Sequence, residues 1–140
     1  MDVGSKTIGI AISDPMGWIA QGLRTLRRKR TADDCRELGD IVRENAVGTV
    51  VIGLPLNMDG TEGPQAQNVK KFGEEMKKIL GDVPVVYWDE RLSTVAAERG
   101  LLEADLSRAK RKEVINHMAA AYILQGYLDA HREPGKGGGA

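Results

Sequence analysis

Two carboxylates are placed where they could do chemistry together. Asp2 stands just ahead of Gly4-Ser5, a carboxylate on a short extended segment before a glycine turn. Glu90 follows directly on the apolar run Val83–Trp88. Neighbouring strand residues point to opposite faces, so only one of Asp89 and Glu90 can share a face with Asp2. In open α/β sheets ligands gather beyond the carboxyl ends of parallel strands, which is where Glu90 falls. Two carboxylates brought together repel unless they share a proton or a cation. Mg²⁺ typically takes one or two carboxylates, several waters and substrate phosphates. The pair is therefore a candidate divalent-metal site, although Asp2 beside Gly4 taken alone reads equally as a turn aspartate.

The basic residues are the second chemical signal. Twenty Lys and Arg balance twenty Asp and Glu, which excludes a globally basic nucleic-acid binder. They are nonetheless clustered, at Arg24, Arg27, Arg28, Lys29 and Arg30, and again at Arg108, Lys110, Arg111 and Lys112. Such runs are either solvated faces or phosphate contacts. Cys35 is the lone cysteine of the 140 residues, so no intramolecular disulfide exists, as suits a reducing cytosol. No basic stretch leads into a long apolar run at the start, and no run reaches membrane-spanning length. A cytoplasmic protein is expected, with no membrane partner.

The elements that must position these residues follow from periodicity. Thr7–Asp14 alternates Ile8, Ile10 and Ile12 with small residues, a strand that turns back on Asp2-Val3 through Gly4-Ser5-Lys6. A third strand is expected near Gly22–Arg28. Ala32–Asn45 carries Cys35, Leu38, Ile41 and Val42 at helical spacing. Thr49–Leu54 is β-branched throughout most of its length and reads as a strand covered on both faces. The Gly-rich loop Asn57–Gly63 leads into a helix Gln65–Leu80 opened by Pro64 and closed by Gly81. Val83–Trp88 is the next strand, a helix capped by Ser93 or Thr94 runs to about Glu103, and Arg108–Ala130 forms a last long helix. Three strands and then helix–strand–helix–strand predict a mixed five-stranded α/β sheet with helices on both faces. Residues 1–132 form one domain, and residues 133–140 a Gly-rich disordered tail.

Three blocks of residues resemble a known family. Asp2-Val3-Gly4-Ser5-Lys6-Thr7-Ile8-Gly9, Gly53-Leu54-Pro55-Leu56-Asn57-Met58-Asp59-Gly60-Thr61-Glu62-Gly63-Pro64-Gln65-Ala66 and Trp88-Asp89-Glu90-Arg91-Leu92-Ser93-Thr94 are similar to the signatures of the YqgF family, also called RuvX, within the ribonuclease H-like superfamily. The likeness runs from Asp2 to about Ala130. It implies a ribonuclease H-like fold and a bacterial cytoplasmic nuclease using Mg²⁺ or Mn²⁺. The family's proposed task is maturing the five-prime end of precursor 16S ribosomal RNA, and an older assignment makes it a resolvase of Holliday junctions. The resemblance assigns catalysis and metal binding to Asp2 and Glu90, and its third acid falls on Asn116 in Ile115-Asn116-His117-Met118-Ala119-Ala120. An amide oxygen still ligates a hard cation but brings no charge.

On the helical wheel Asn116 flanks the apolar stripe of Ile115, Met118, Ala119, Tyr122 and Ile123. His117, about 200° round from Ile115, points to solvent and Glu113 is the nearest substitute acid. Nucleic-acid contacts are expected from Lys6, Arg27, Arg28, Lys29, Asn57, Arg91, Lys110, Arg111 and Lys112. Trp18 and Trp88 are read as packing residues rather than base-stacking platforms. The family usually has an apolar half-strand ahead of its aspartate; here only Met1 precedes Asp2, so an upstream start or a short first strand is expected. The partner is structured RNA, such as precursor ribosomal RNA, or branched DNA, and the chain a monomer or homodimer. Two rival readings remain open: an actin-like ATPase, which would need a second such domain, and a non-catalytic RNA-binding ribosome-assembly factor.

Overall fold

The computed structural model describes residues 1–93 and 108–132, with residues 108–115 described as helical backbone only. Strands β1 (Asp2–Val3), β2 (Thr7–Ser13) and β3 (Ala20–Arg27) form an antiparallel meander. Helix α1 (Thr31–Glu44) leads to β4 (Val50–Leu54), helix α2 (Pro64–Leu80) and β5 (Val85–Asp89), and β4 and β5 pair in parallel. A single 3₁₀ turn, Glu90–Leu92, follows β5, and helix α3 spans Arg108–His131. The helix expected between Ser93 and Glu103, and the tail beyond residue 132, lie outside the described residues. No helix among the described residues is long and apolar enough to cross a membrane.

The expected five-stranded sheet is corrected to two sheets, of three and two strands. The two sheets meet at β1. Met1 donates from its amine to the Val51 carbonyl at 2.6 Å and accepts the Gly53 N–H at 3.0 Å. These are the two bonds of a parallel link centred on Ile52. Among the described residues β1 pairs with β2 at Asp2–Gly9 and Val3–Ile8, and Met1 carries the bonds to β4. A cavity of about 830 Å³ is lined by Ile10, Ile12, Leu38, Val50, Leu124 and Tyr127 among others.

Both faces are covered, as the sequence predicts. On one face Ile8, Ile10 and Leu26 pack with Val50, Ile52 and Leu54 against Cys35, Leu38 and Val42 of α1 and Val69, Phe72 and Met76 of α2. On the other, α3 packs a smaller cluster of Ala119 and Ile123 with Trp88 and Tyr122. The alternation of Ile8 and Ile10 with Gly9 explains the division, since successive residues serve opposite faces. Cys35 is fully buried in the larger core, and burial pushes its thiol up to about 11. A thiol reagent at about pH 8 should therefore label the native protein far more slowly than the urea-unfolded chain, where the thiolate is accessible and its pKa ordinary. Equal labelling rates would show that the α1 face opens readily.

Candidate active site

Three glycines make the site possible, because they let α3 and Glu90 rest on the sheet. A methyl group at Gly9 would collide with the backbone carbonyl of Asn116. One at Gly53 would lie 2.9 Å from the Glu90 carboxylate and 2.7 Å from Ile123. One at Gly22 would lie 2.7 Å from the His117 ring. An isolated glycine in a strand commonly marks such a close approach.

These contacts fix the faces of the candidate residues. Gly9 is the direct partner of Asp2 across the β1–β2 pair, and directly opposed residues project on the same face. Asp2 thus faces α3, beside the strand position that carries Asn116. Gly53 follows Ile52, the residue linked to Met1, so the Glu90 carboxylate lies over the strand next to β1 on the same face. Asp2 and Glu90 are close enough to act on one charge. Burial pushes the Met1 amine down to about 6, and the carboxylates of Asp2 and Glu90 both oppose that fall.

Asp89 takes the other role, as strand alternation requires. Its carboxylate pairs with the Arg91 guanidinium at 2.7 Å, accepts the Arg91 N–H at 3.0 Å, and is held below the usual carboxylate range by that partner. Arg91 also donates to the Met58 carbonyl at 3.1 Å, tying the Asn57–Gly63 loop to the end of β5. Within that loop Asn57 donates its amide to Thr61 Oγ1 at 2.9 Å, and Gly60 turns with φ +87°. Asn57 and Arg91 thus hold the loop in shape against the end of β5.

The basic residues divide. Lys6, Arg27 and Lys29 are exposed around the β1–β2 turn and the end of β3. Arg28, expected among them, is instead engaged in the fold. Its guanidinium pairs with buried Asp34 at 2.9 Å, donates to the Gly4 carbonyl at 2.9 Å and to Thr31 Oγ1 at 3.2 Å, and lies over Phe72. Lys110, Arg111, Lys112 and Glu113 sit on α3 with side chains outside the described residues.

One expectation is overturned. His117 does not point to solvent: it is half-buried on β3, sharing a 3.3 Å hydrogen bond with Thr25 Oγ1. The wheel assumes one buried stripe, whereas β3 extends beneath the flank of α3. Trp88 packs in the apolar cluster under α3, edge-on to Tyr127, whereas Trp18 lies under the Arg132 guanidinium. Among the described residues no group of three or more His, Cys, Asp and Glu is placed to hold a metal ion.

Residues 1–130 match the family model described as RuvX, Holliday junction resolvase. A protein of Myxococcus xanthus named "Putative pre-16S rRNA nuclease" is 56% identical over 134 residues, covering 96% of this chain and 88% of the relative. Proteins of the same name from Heliobacterium modesticaldum and Clostridium tetani are 55% and 52% identical over 130 residues, each covering 93% of this chain and 87% and 94% of the relative. With the match running from β1 through nearly all of α3, this chain belongs to the RuvX family.

Proposed function

We propose that this chain is a divalent-metal-dependent endonuclease that processes the five-prime end of precursor 16S ribosomal RNA in the bacterial cytoplasm, with residues 1–132 acting as one nuclease domain. The observation that supports it is the convergence of Asp2, Glu90 and the Asn116 position on the α3 face of the sheet at Gly9 and Gly53. Two carboxylates and an amide are hard oxygen donors, a set that suits Mg²⁺ or Mn²⁺. A cation held by them would supply an activated water and charge neutralisation at the scissile phosphate. Asp2 and Glu90 contribute the negative charge, and Asn116 an oxygen without charge. Gly9 and Gly53 keep the surface beneath free of side chains. Arg91 and Asn57 steady the loop that borders the site, and Lys6, Arg27 and Lys29 offer cations to the phosphate backbone.

The deciding experiment compares cleavage of precursor 16S RNA and a four-way DNA junction side by side, with Mg²⁺, Mn²⁺ or neither. Metal-dependent cutting of the RNA supports the reading. Cutting of the junction alone favours the second one, a Holliday junction resolvase, which the family description carries. Binding of RNA without cleavage under any condition would leave an assembly factor.

Two quantitative expectations accompany the reading. Asn116→Asp adds a carboxylate where the site has an amide. Unit charges 4 Å apart interact by about 4 kcal/mol at the dielectric of a protein surface, so a tenfold rise in Mn²⁺ affinity is a conservative expectation. Cleavage under single-turnover conditions should accelerate with it, and helix stability should barely change because Asn and Asp have similar propensities. Unchanged affinity and rate would put residue 116 outside the site. Replacing Arg27 and Lys29 together with Ala should flatten the salt dependence of RNA binding by about two units of slope at most, since each phosphate contact releases close to one counterion. An unaltered slope would leave that cluster a solvated face.

A further inference from the structure

His117 belongs to no part of the function described so far, yet β3 provides a seat for it. Gly22 leaves the space its ring fills, since a methyl there would approach Cδ2 to 2.7 Å, and Thr25 supplies the hydroxyl that meets Nδ1 at 3.3 Å. The register makes this seat continuous with the candidate site. Thr25 is the direct partner of Gly9 on β2, and Gly9 is the direct partner of Asp2 on β1. Thr25, Gly9 and Asp2 therefore form one row across the meander. All three serve the α3 face, since opposed residues share a face. Two consecutive residues of α3 rest on this row and beside it, the Asn116 backbone on Gly9 and the His117 ring against Gly22 and Thr25.

A helix seated backbone-to-backbone over a glycine has no side chain to lock against at that point, and the polar bonds of Gln125 to Ala20 and Trp18 fix α3 only further along. A directional hydrogen bond one residue further on supplies a lock beside residue 116 itself. We propose that His117 is a positioning residue: its bond to Thr25 fixes the rotation and height of α3 and so holds residue 116 over Gly9 beside Asp2. The proposal rests on the reading of Asp2, Glu90 and Asn116 as a divalent-cation site. His117 itself neither ligates the cation nor touches the substrate. Groups hydrogen-bonded directly to a metal ligand commonly change metal affinity about 10–100-fold when removed, and a contact that acts through the helix is expected at the lower end of that range.

The test uses Mn²⁺ alone as probe on the full chain, comparing wild type with His117→Ala, His117→Asn and Thr25→Val. Asn can place a polar atom near the position of Nδ1, and Val removes the Thr25 hydroxyl at constant shape. His117→Ala and Thr25→Val should each weaken Mn²⁺ binding about tenfold, while His117→Asn stays within about threefold of wild type. The melting temperature of each variant is measured alongside. A purely structural role would lower Tm without this division, so affinity that merely follows Tm, or that is unchanged in Thr25→Val, overturns the proposal. The Asn116 side-chain amide resonances give a readout free of metal: they should move in His117→Ala and Thr25→Val and stay near their wild-type positions in His117→Asn. If Asp2→Asn leaves Mn²⁺ binding unaltered, the cation reading fails, and the amide resonances alone then decide whether His117 positions residue 116.

Discussion

Asp2→Asn should reduce metal-dependent cleavage by more than about 100-fold while leaving the fold intact. Loss of an outer contact to a metal ligand already costs about 10–100-fold, and Asp2 supplies one of the two charges of the proposed site. The substitution keeps size and shape, and β1 depends on backbone bonds at Asp2–Gly9 and Val3–Ile8 that an amide side chain does not disturb. With Asn already at position 116, the variant would face substrate with Glu90 as the remaining carboxylate of the set. The measurement is single-turnover cleavage of precursor RNA in Mn²⁺, paired with urea unfolding. Cleavage within threefold of wild type would remove Asp2 from the chemistry, and a large fall in stability would show that its role is structural.

The largest expected effect on stability comes from Asp34→Ala. Asp34 is 1% exposed, and its carboxylate receives the Arg28 guanidinium at 2.9 Å and the Lys29 N–H at 3.0 Å. A buried ion pair adds little over an apolar pair of the same shape, because desolvation offsets the attraction. Breaking one side is different, for it leaves a charge in a poorly hydrated place without its counterion. The expected loss is about 3–5 kcal/mol by urea denaturation. The consequence reaches beyond α1, since the same guanidinium holds the Gly4 carbonyl in the turn that follows Asp2. A loss below about 1 kcal/mol would mean that water reaches Arg28 and takes over the pairing.

Much of this was legible in the chain. Ile8 and Ile10 alternating with Gly9, the helical spacing of Cys35, Leu38, Ile41 and Val42, and the unbroken apolar run of β4 each record a local periodicity, and each element appears within a few residues of its expected span. Alternation allows only one of Asp89 and Glu90 on the face of Asp2, the resemblance names Glu90, and it is the Glu90 carboxylate that lies against the Gly53 position. What escaped depended on distances between segments far apart in sequence. The expected single sheet divides into two, with Met1 bonding to Val51 and Gly53 between them. His117 was misread because a helical wheel knows nothing of the width of the sheet beneath it. Arg28 looks like its neighbours until Asp34 is brought to it. The glycine seats did leave a signal, since Gly9, Gly22 and Gly53 all interrupt strands, where glycine is unfavourable without a reason.

The unequal cores on the two faces of the sheet bear on how the protein breathes. The face under α1 and α2 holds the extensive cluster around Leu38, Ile52 and Met76, while the apolar cluster under α3 is the small one of Ala119, Ile123, Trp88 and Tyr122, joined at the edge by the polar bonds of His117 to Thr25 and of Gln125 to Ala20 and Trp18. Proteins open locally where buried apolar contacts are fewest. The first cooperative unit to detach should therefore be α3, with amide exchange along residues 116–131 faster than in β4 or α1. Release of that unit separates residue 116 from Asp2 and uncovers Gly53 while the larger core stays folded. The candidate site is thus assembled on the half of the molecule with the lower free energy of opening.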